Sequence, residues 1–242
     1  MRLHTWTNGC DFICDVGIDH FYLYDNDSTD DYESVVRPFV NAGRVTLYRR
    51  PGLAQQLPVY QHCLREHRKD ARWLTILDDD EFLFPAAASN LPETFSAYES
   101  YAGVAACWLL FGSNGHRTRP SGPVTSNYRR RAAWVDPHVK CVVDPAKVTA
   151  TAVAAHSFHC VAGETIVDER HRPIAGPFCA NPSSEILCLN HYVIKSHEEL
   201  VQRRTRAQVC NGELSPHSLE KWKWLDSRYN DMEDDRIQRF TS

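Results

Sequence analysis

Short apolar runs alternate with amphipathic stretches from His20 to Pro85. The run HFYLYD (20–25), aromatic-rich and ended by an acid, predicts a buried strand. A helix follows in NDSTDDYESVVRPFVNAG, with Ser28/Asp31 or Asp30/Glu33 as a capping box and Val35, Val36, Phe39 and Val40 as its inner stripe. RVTLYRR (44–50) predicts a second strand, and LAQQLPVYQHCLREHRKD a second helix facing inward through Tyr60, Cys63 and Leu64. RWLTILDDD (72–80) predicts a third strand. This alternation argues for a parallel α/β unit. Beyond Pro85, GVAACWLLFG, HVKCVVDP, TAVAAHSFHC and EILCLNHY read as further strands. The end of the chain reads as helical from Ser196 to Val209 and again near 219–229, with Trp222 and Leu225 facing in.

Composition changes this picture little. The 242 residues are 43% hydrophobic and 24% charged, which suits one domain over 1–242 with a helical C-terminal extension at 196–242. The net charge of −4 gives no basis for nucleic-acid binding. The longest apolar run, Val104 to Phe111, falls far short of the roughly 20 residues a membrane span needs. The N-terminal residues hold no signal-peptide core, so the nine scattered cysteines are read as reduced thiols and the expected location is cytoplasmic.

The chemistry concentrates in LDDDEF. Asp78, Asp79, Asp80 and Glu81 stand between apolar segments, where unpaired carboxylates are costly. If the strand stays extended to its end, Asp78 and Asp80 point to one side and suit Mg²⁺ or Mn²⁺. Asp25 and Asn26 close another strand and are expected to face a ligand, as strand ends do in open α/β sheets. In LNHYVIKSHEEL, His191 offers a third metal ligand and Lys195 a cation for a diphosphate. Ser196 with Glu199 predicts a capped helix, whose free first-turn N–H groups are expected to favour anions beside Lys195. FGSNGHRTRPSGP (111–123) reads as a flexible loop able to fold over a ligand, and it matches neither a P-loop nor a dinucleotide fingerprint. His156 and His159 lack structural-zinc spacing, so His156 is read as structural or acceptor-side.

The segments GIDHFYLYDNDSTDD, QQLPVYQHCL, RWLTILDDDEFLFP, LLFGSNGH, VKCVVDP, LNHYVIKS and RYNDMEDDRIQRF occur in that order. Together they resemble the family 92 glycosyltransferases and their family-2-like relatives, over 17–240. The resemblance implies a GT-A-like α/β fold, with a mixed, mostly parallel sheet flanked by helices and followed by C-terminal helices. It implies metal-dependent hexosyl transfer, with inversion, from a nucleotide-sugar donor such as a UDP-sugar to a glycan or other hydroxyl acceptor. Asp78, Asp80 and Glu81 would form the catalytic DxD element, and Asp78, Asp80 and His191 would hold Mn²⁺ or Mg²⁺. Asp25, Asn26, Gln56, Gly112, Gly115 and Lys195 would contact the donor. The family opens with a strand and a KNE-like motif ahead of GIDHF; neither precedes Gly17 here, so the first strand is expected to be missing.

Inversion requires a base for the acceptor hydroxyl. Asp136, Asp168 and Glu169 are the candidates, and the sequence does not choose among them. Nucleotidyl or phosphoryl transfer also uses paired acids but needs phosphate loops that are not evident. The alternative to an enzyme is a catalytically inactive sugar- or nucleotide-binding domain, favoured by the missing strand.

Overall fold

A computed structural model describes residues 12, 15–154, 156–204 and 219–241. The chain opens with a βαβ unit: β1 (Phe21–Asp25) and β2 (Val45–Arg49) pair in parallel, joined through α1 (Tyr32–Asn41). The inner stripe of α1 is Tyr32, Val36 and Phe39 rather than Val35 and Val40; Val40 is 37% exposed. The i, i+4, i+7 spacing of that trio gives a tighter apolar line. The expected capping box does not form: Asp31 is the N-cap without a side-chain bond, and Asp25 accepts from the Ser28 N–H instead. Helix α2 (Gln56–His67) buries Tyr60, Cys63 and Leu64 as its spacing predicts.

The third strand is much shorter than its apolar pattern suggests. Only Leu74–Thr75 (β3) pairs, antiparallel to β7 (Asp136–Val143). Ile76 and Leu77 then pack against different apolar clusters, and the chain turns through the acids into β4 (Glu81–Pro85), which is buried throughout. The main sheet runs β3-β7-β5-β11-β4, with β5 at Gly103–Leu110, β11 at Leu187–His191, and β10 (Ile166–Asp168) also pairing with β5; apart from it, β6 (Arg130–Arg131) pairs antiparallel with β12 (Met232–Glu233).

Only β10–β5 and β11–β5 are parallel; the other three ladders are antiparallel, so this sheet is mixed and not mostly parallel. Parallel pairing needs long crossover connections. Between β4 and β11 the described residues carry only short helices, α3 (Leu91–Phe95) with a 3-10 turn at Ser96–Tyr98, and α4 (Val124–Asn127). TAVAAHSFHC is likewise not one strand but an antiparallel pair, β8 (Val148–Ala154) and β9 (Ser157–Cys160), turning at His156.

One apolar cluster gathers Phe12, Phe82, Phe84, Leu109, Phe111 and Leu189; a second joins Cys63 and Leu64 of α2 to Ala105, Cys107 and Cys141. β5 and β7 approach so closely that a Cβ at Gly103 would lie 2.3 Å from the Val142 carbonyl oxygen. Helix α5 (His197–Arg204) follows β11, and α6 (Leu219–Asp226) packs inward through Trp222 and Leu225. The expected continuation of α5 to Val209 lies outside the described residues. Among the described residues no helix is long and apolar enough to cross a membrane.

Candidate active site

The acids do not prolong a strand; they form the turn between β3 and β4. The Glu81 N–H donates to the Asp78 carbonyl at 3.1 Å, and the Asp78 N–H donates to Glu81 Oε2 at 2.9 Å. The turn is docked on the end of β11, where His191 stands in register with Glu81 and the Tyr192 N–H donates to the Asp80 carbonyl at 2.9 Å. Asp78 and Asp80 therefore point apart, which corrects the extended-strand reading. Asp78 is half exposed and accepts from Lys140 Nζ at 3.1 Å, whereas Asp80 is 5% exposed and faces His191 and Arg203.

Each buried acid has its own surroundings. His191 Nε2 lies 3.4 Å from Asp80 Oδ1, and Arg203 Nη1 lies 3.5 Å from Oδ2. Burial works against ionising Asp80, yet His191, Arg203 and Lys195 hold its carboxyl well below the usual carboxylate range. The Glu81 side chain is 0% exposed; it accepts from the Trp108 indole N–H at 2.7 Å and faces Lys140 Nζ at 3.3 Å. Burial pushes Glu81 up to about 7, with Lys140 pulling against it. Burial also opposes the charge on Lys140, but Glu81 and Asp78 hold its ammonium above the usual lysine range.

Trp108 sits at the centre of three imidazoles: His138 stacks on it at 4.8 Å, His191 lies 4.4 Å away and His156 meets it edge-on at 5.0 Å. His156 Nδ1 bonds the Val139 carbonyl at 3.0 Å; burial, and then Lys140, push this ring down to about 4, so it is a neutral wall of the site.

Two of the three expected metal ligands suit one ion. A gap of 3.4 Å between Asp80 Oδ1 and His191 Nε2 can be spanned by an ion bonded at about 2.0–2.6 Å to each. His191 Nδ1 is buried and has no hydrogen-bond partner among the described residues. Asp78 is engaged by Lys140, and among the described residues no three His, Cys, Asp or Glu side chains converge in ligand geometry. A hard divalent cation on one or two carboxylates completes its shell with phosphate and water, so the donor set fits Mg²⁺ or Mn²⁺.

Lys195 is buried, adopts a left-handed φ of 57°, and lies within electrostatic reach of Asp80. The capping box after it is present: Ser196 Oγ bonds Glu199 Oε2 at 2.9 Å, and the Glu199 N–H donates back to Ser196 Oγ at 3.3 Å. The first N–H groups of α5 are not free for an anion, however. His197 and Glu198 donate to the carbonyls of His116 and Arg117, at 3.1 and 3.0 Å. The same bonds clamp 111–123, and Ser113 and Asn114 are fastened further by Asp226 and Asn230. That loop is thus an anchored wall, contrary to the flexible reading. A Cβ at Gly112 would lie 2.4 Å from Asn230 Nδ2, whereas Gly115 needs its glycine for a φ of 80°.

The remaining expected residues have visible local roles. Asp25 is buried at the end of β1, and Asn26 donates to the Arg50 and Gly52 carbonyls at 2.7 and 2.8 Å. Gln56 donates to the Tyr60 hydroxyl at 3.2 Å, beneath Lys140. Among the base candidates, Asp168 is spent on Arg172 and on backbone N–H groups, and Glu169 accepts from the N–H groups of Glu185, Ile186 and Leu187. Asp136 is bonded to His138. Trp108, Lys140 and Arg203 escaped the sequence reading. The signal for Lys140 was a lone cation inside the apolar strand HVKCVV; Arg203 gave none.

The sequence profile of glycosyltransferase family 92 matches residues 12–240, and the chain belongs to that family. It is similar to a family 92 protein of Ricinus communis, 26% identical over 81% of this chain and 35% of that protein. One from Oryza sativa subsp. japonica is 26% identical over 73% of this chain and 29% of its own length. A galactan beta-1,4-galactosyltransferase of Arabidopsis thaliana is 31% identical over 34% of this chain and 18% of that protein. The chain spans about a third of the length of the first two relatives.

Proposed function

We propose that the chain is the donor-binding GT-A-type domain of an inverting glycosyltransferase, moving a hexosyl group from a UDP-sugar to a glycan or other hydroxyl acceptor. The observation that carries this reading is the buried Asp80–His191 pair, 3.4 Å apart, at the mouth of an acid turn. Asp80 and His191 would hold Mn²⁺ or Mg²⁺, which when bound stabilises charge on the leaving diphosphate, while Asp78 stays on Lys140. Lys195 and Arg203 add positive charge on that side. Glu81 serves catalysis by fixing the turn, through Trp108 on one oxygen and the Asp78 N–H on the other. Asp25, Asn26 and Gln56 belong to the nucleoside end, and Gly112 and Gly115 to the wall beside the sugar. The likeness to a galactosyltransferase makes UDP-galactose the first donor to try.

Calorimetry with UDP tests the reading: binding should require Mn²⁺, and equal affinity in EDTA would refute it. One observation favours the inactive-domain alternative, namely that Asp78 and Glu81 already share a cation in Lys140. Metal-dependent UDP binding with no release of UDP from any UDP-sugar would decide for it.

A further inference from the structure

We infer that His138, oriented by Asp136, is the general base that takes the proton of the acceptor hydroxyl. The inference rests on the nucleotide-sugar reading above and adds the group that reading leaves unnamed. Asp136 Oδ1 accepts the His138 backbone N–H at 3.0 Å and meets His138 Nδ1 at 2.7 Å. A carboxylate can only accept, so Nδ1 carries the hydrogen of this bond, and in the neutral ring that tautomer leaves the lone pair on Nε2. Nε2 makes no hydrogen bond among the described residues, and the side chain is 38% exposed, so an acceptor can reach it.

The ring is also fixed. It stacks on Trp108 with an interplanar angle of 20°, and Phe178 meets it edge-on at 4.6 Å. Trp108 binds Glu81 through its N–H and lies against His191, so a single indole separates His138 from the acid turn. The backbone aims it there: Cys107 pairs with Val139 but Trp108 with Asp136, leaving Pro137 and His138 as a bulge in β7. Bulges beside active sites re-aim side chains in this way. The titratable neighbours include Asp136 itself, which lies within electrostatic reach of Tyr229, His156 with its ring 5.8 Å away, and beyond Trp108 the pair His191 and Glu81.

In the step, the acceptor oxygen forms a bond to the anomeric carbon while His138 Nε2 takes its proton. The bond from that carbon to the diphosphate oxygen breaks, and its electron pair leaves with UDP. The imidazolium is stabilised by Asp136 until the proton passes to water. A single displacement inverts the anomeric centre.

The test uses the full chain, UDP-galactose and a β-1,4-linked galacto-oligosaccharide, with Mn²⁺-dependent UDP affinity measured in parallel. General-base catalysis is worth about 10²–10⁴-fold, so His138→Ala should lose that much kcat while UDP affinity stays within about twofold. Added imidazole should restore part of the rate, which a structural role would not permit. Asp136→Asn, a positioning change, should lower kcat by about tenfold or more with the donor KM unchanged. Wild-type turnover in His138→Ala, or loss of its UDP affinity, overturns the base and leaves the donor reading intact. A wild-type protein that binds no UDP with Mn²⁺ overturns the donor reading, and this inference with it.

Discussion

Replacing Lys140 by Met should destabilise the protein strongly, and only where Glu81 is ionised. The ammonium is 2% exposed and lies 3.1 Å from Asp78 and 3.3 Å from Glu81. Met fills similar volume, so the loss is one of charge. Removing one partner of a buried pair typically costs about 3–5 kcal/mol, because the other charge stays behind unpaired. The sign with pH follows from Glu81. Its folded value, about 7, lies above the ordinary 4.5. Between those two pH values the folded chain holds a proton that the unfolded chain has released. Stability therefore falls as pH rises through that window, by about 3 kcal/mol at about 1.4 kcal/mol per pH unit. Lys140 limits this fall by pulling Glu81 down, so without it the fall should continue above pH 7. Urea unfolding followed by tryptophan fluorescence should show the variant about 3–5 kcal/mol weaker at pH 8.5, and close to wild type at pH 5. A variant within 1 kcal/mol of wild type at pH 8.5, or an equal deficit at both pH values, would refute the argument.

The other expectations concern the turn and its walls. Asp80→Asn should abolish Mn²⁺-dependent UDP binding in calorimetry. It should also flatten acid unfolding below about pH 4: the depressed Asp80 carboxyl gives stability that is present above the ordinary carboxylate value and lost as pH falls toward the folded one. Glu199→Ala removes the acceptor shared by Ser196 and Tyr128, and should cost about 1–2 kcal/mol in urea midpoints while weakening UDP binding through Lys195. Gly112→Ala drives a methyl into Asn230, and should lower stability by about 1–3 kcal/mol. Pairing it with Asn230→Ala should recover part of that loss, and strict additivity would refute the clash.

Local pattern was legible where each element carries its own signal. HFYLYD, RVTLYRR, HVKCVVDP and EILCLNHY became strands, and the Ser196/Glu199 box formed as spelled, because alternation and capping are decided within a few residues. Pairing direction was not legible. A strand–helix–strand order predicts parallel neighbours only while each strand pairs with the next, and among the described residues β1 and β2 are the only consecutive strands that pair in parallel. The same limit hid the partners of the acids. Nothing near Asp78 in sequence points to Lys140, 62 residues away, or joins Asp80 to Arg203 across 123. Neither expected capping box, Ser28/Asp31 or Asp30/Glu33, starts the helix: Asp31 is its N-cap without a side-chain bond, and Asp25 accepts from the Ser28 N–H.

The apolar setting of LDDDEF acquires its physical account only from these distant cations. Asp78, Asp80 and Glu81 are met by Lys140, Lys195 and Arg203, so apart from the exposed Asp79 the turn is close to charge balance within the chain itself. Buried acids on that scale are tolerable when each is paired or hydrogen-bonded, and Glu81, the most enclosed of the three, has both an ammonium and an indole N–H. A divalent cation alone would upset that balance toward positive. On the reading proposed above, a divalent cation arriving with a nucleoside diphosphate would add little net charge, with Lys195 and Arg203 on the side of its phosphates. The metal–nucleotide complex would then suit the site's charges better than either component. Apolar side chains in place of Lys140, Lys195 and Arg203 would leave the buried acids of the turn no means to ionise.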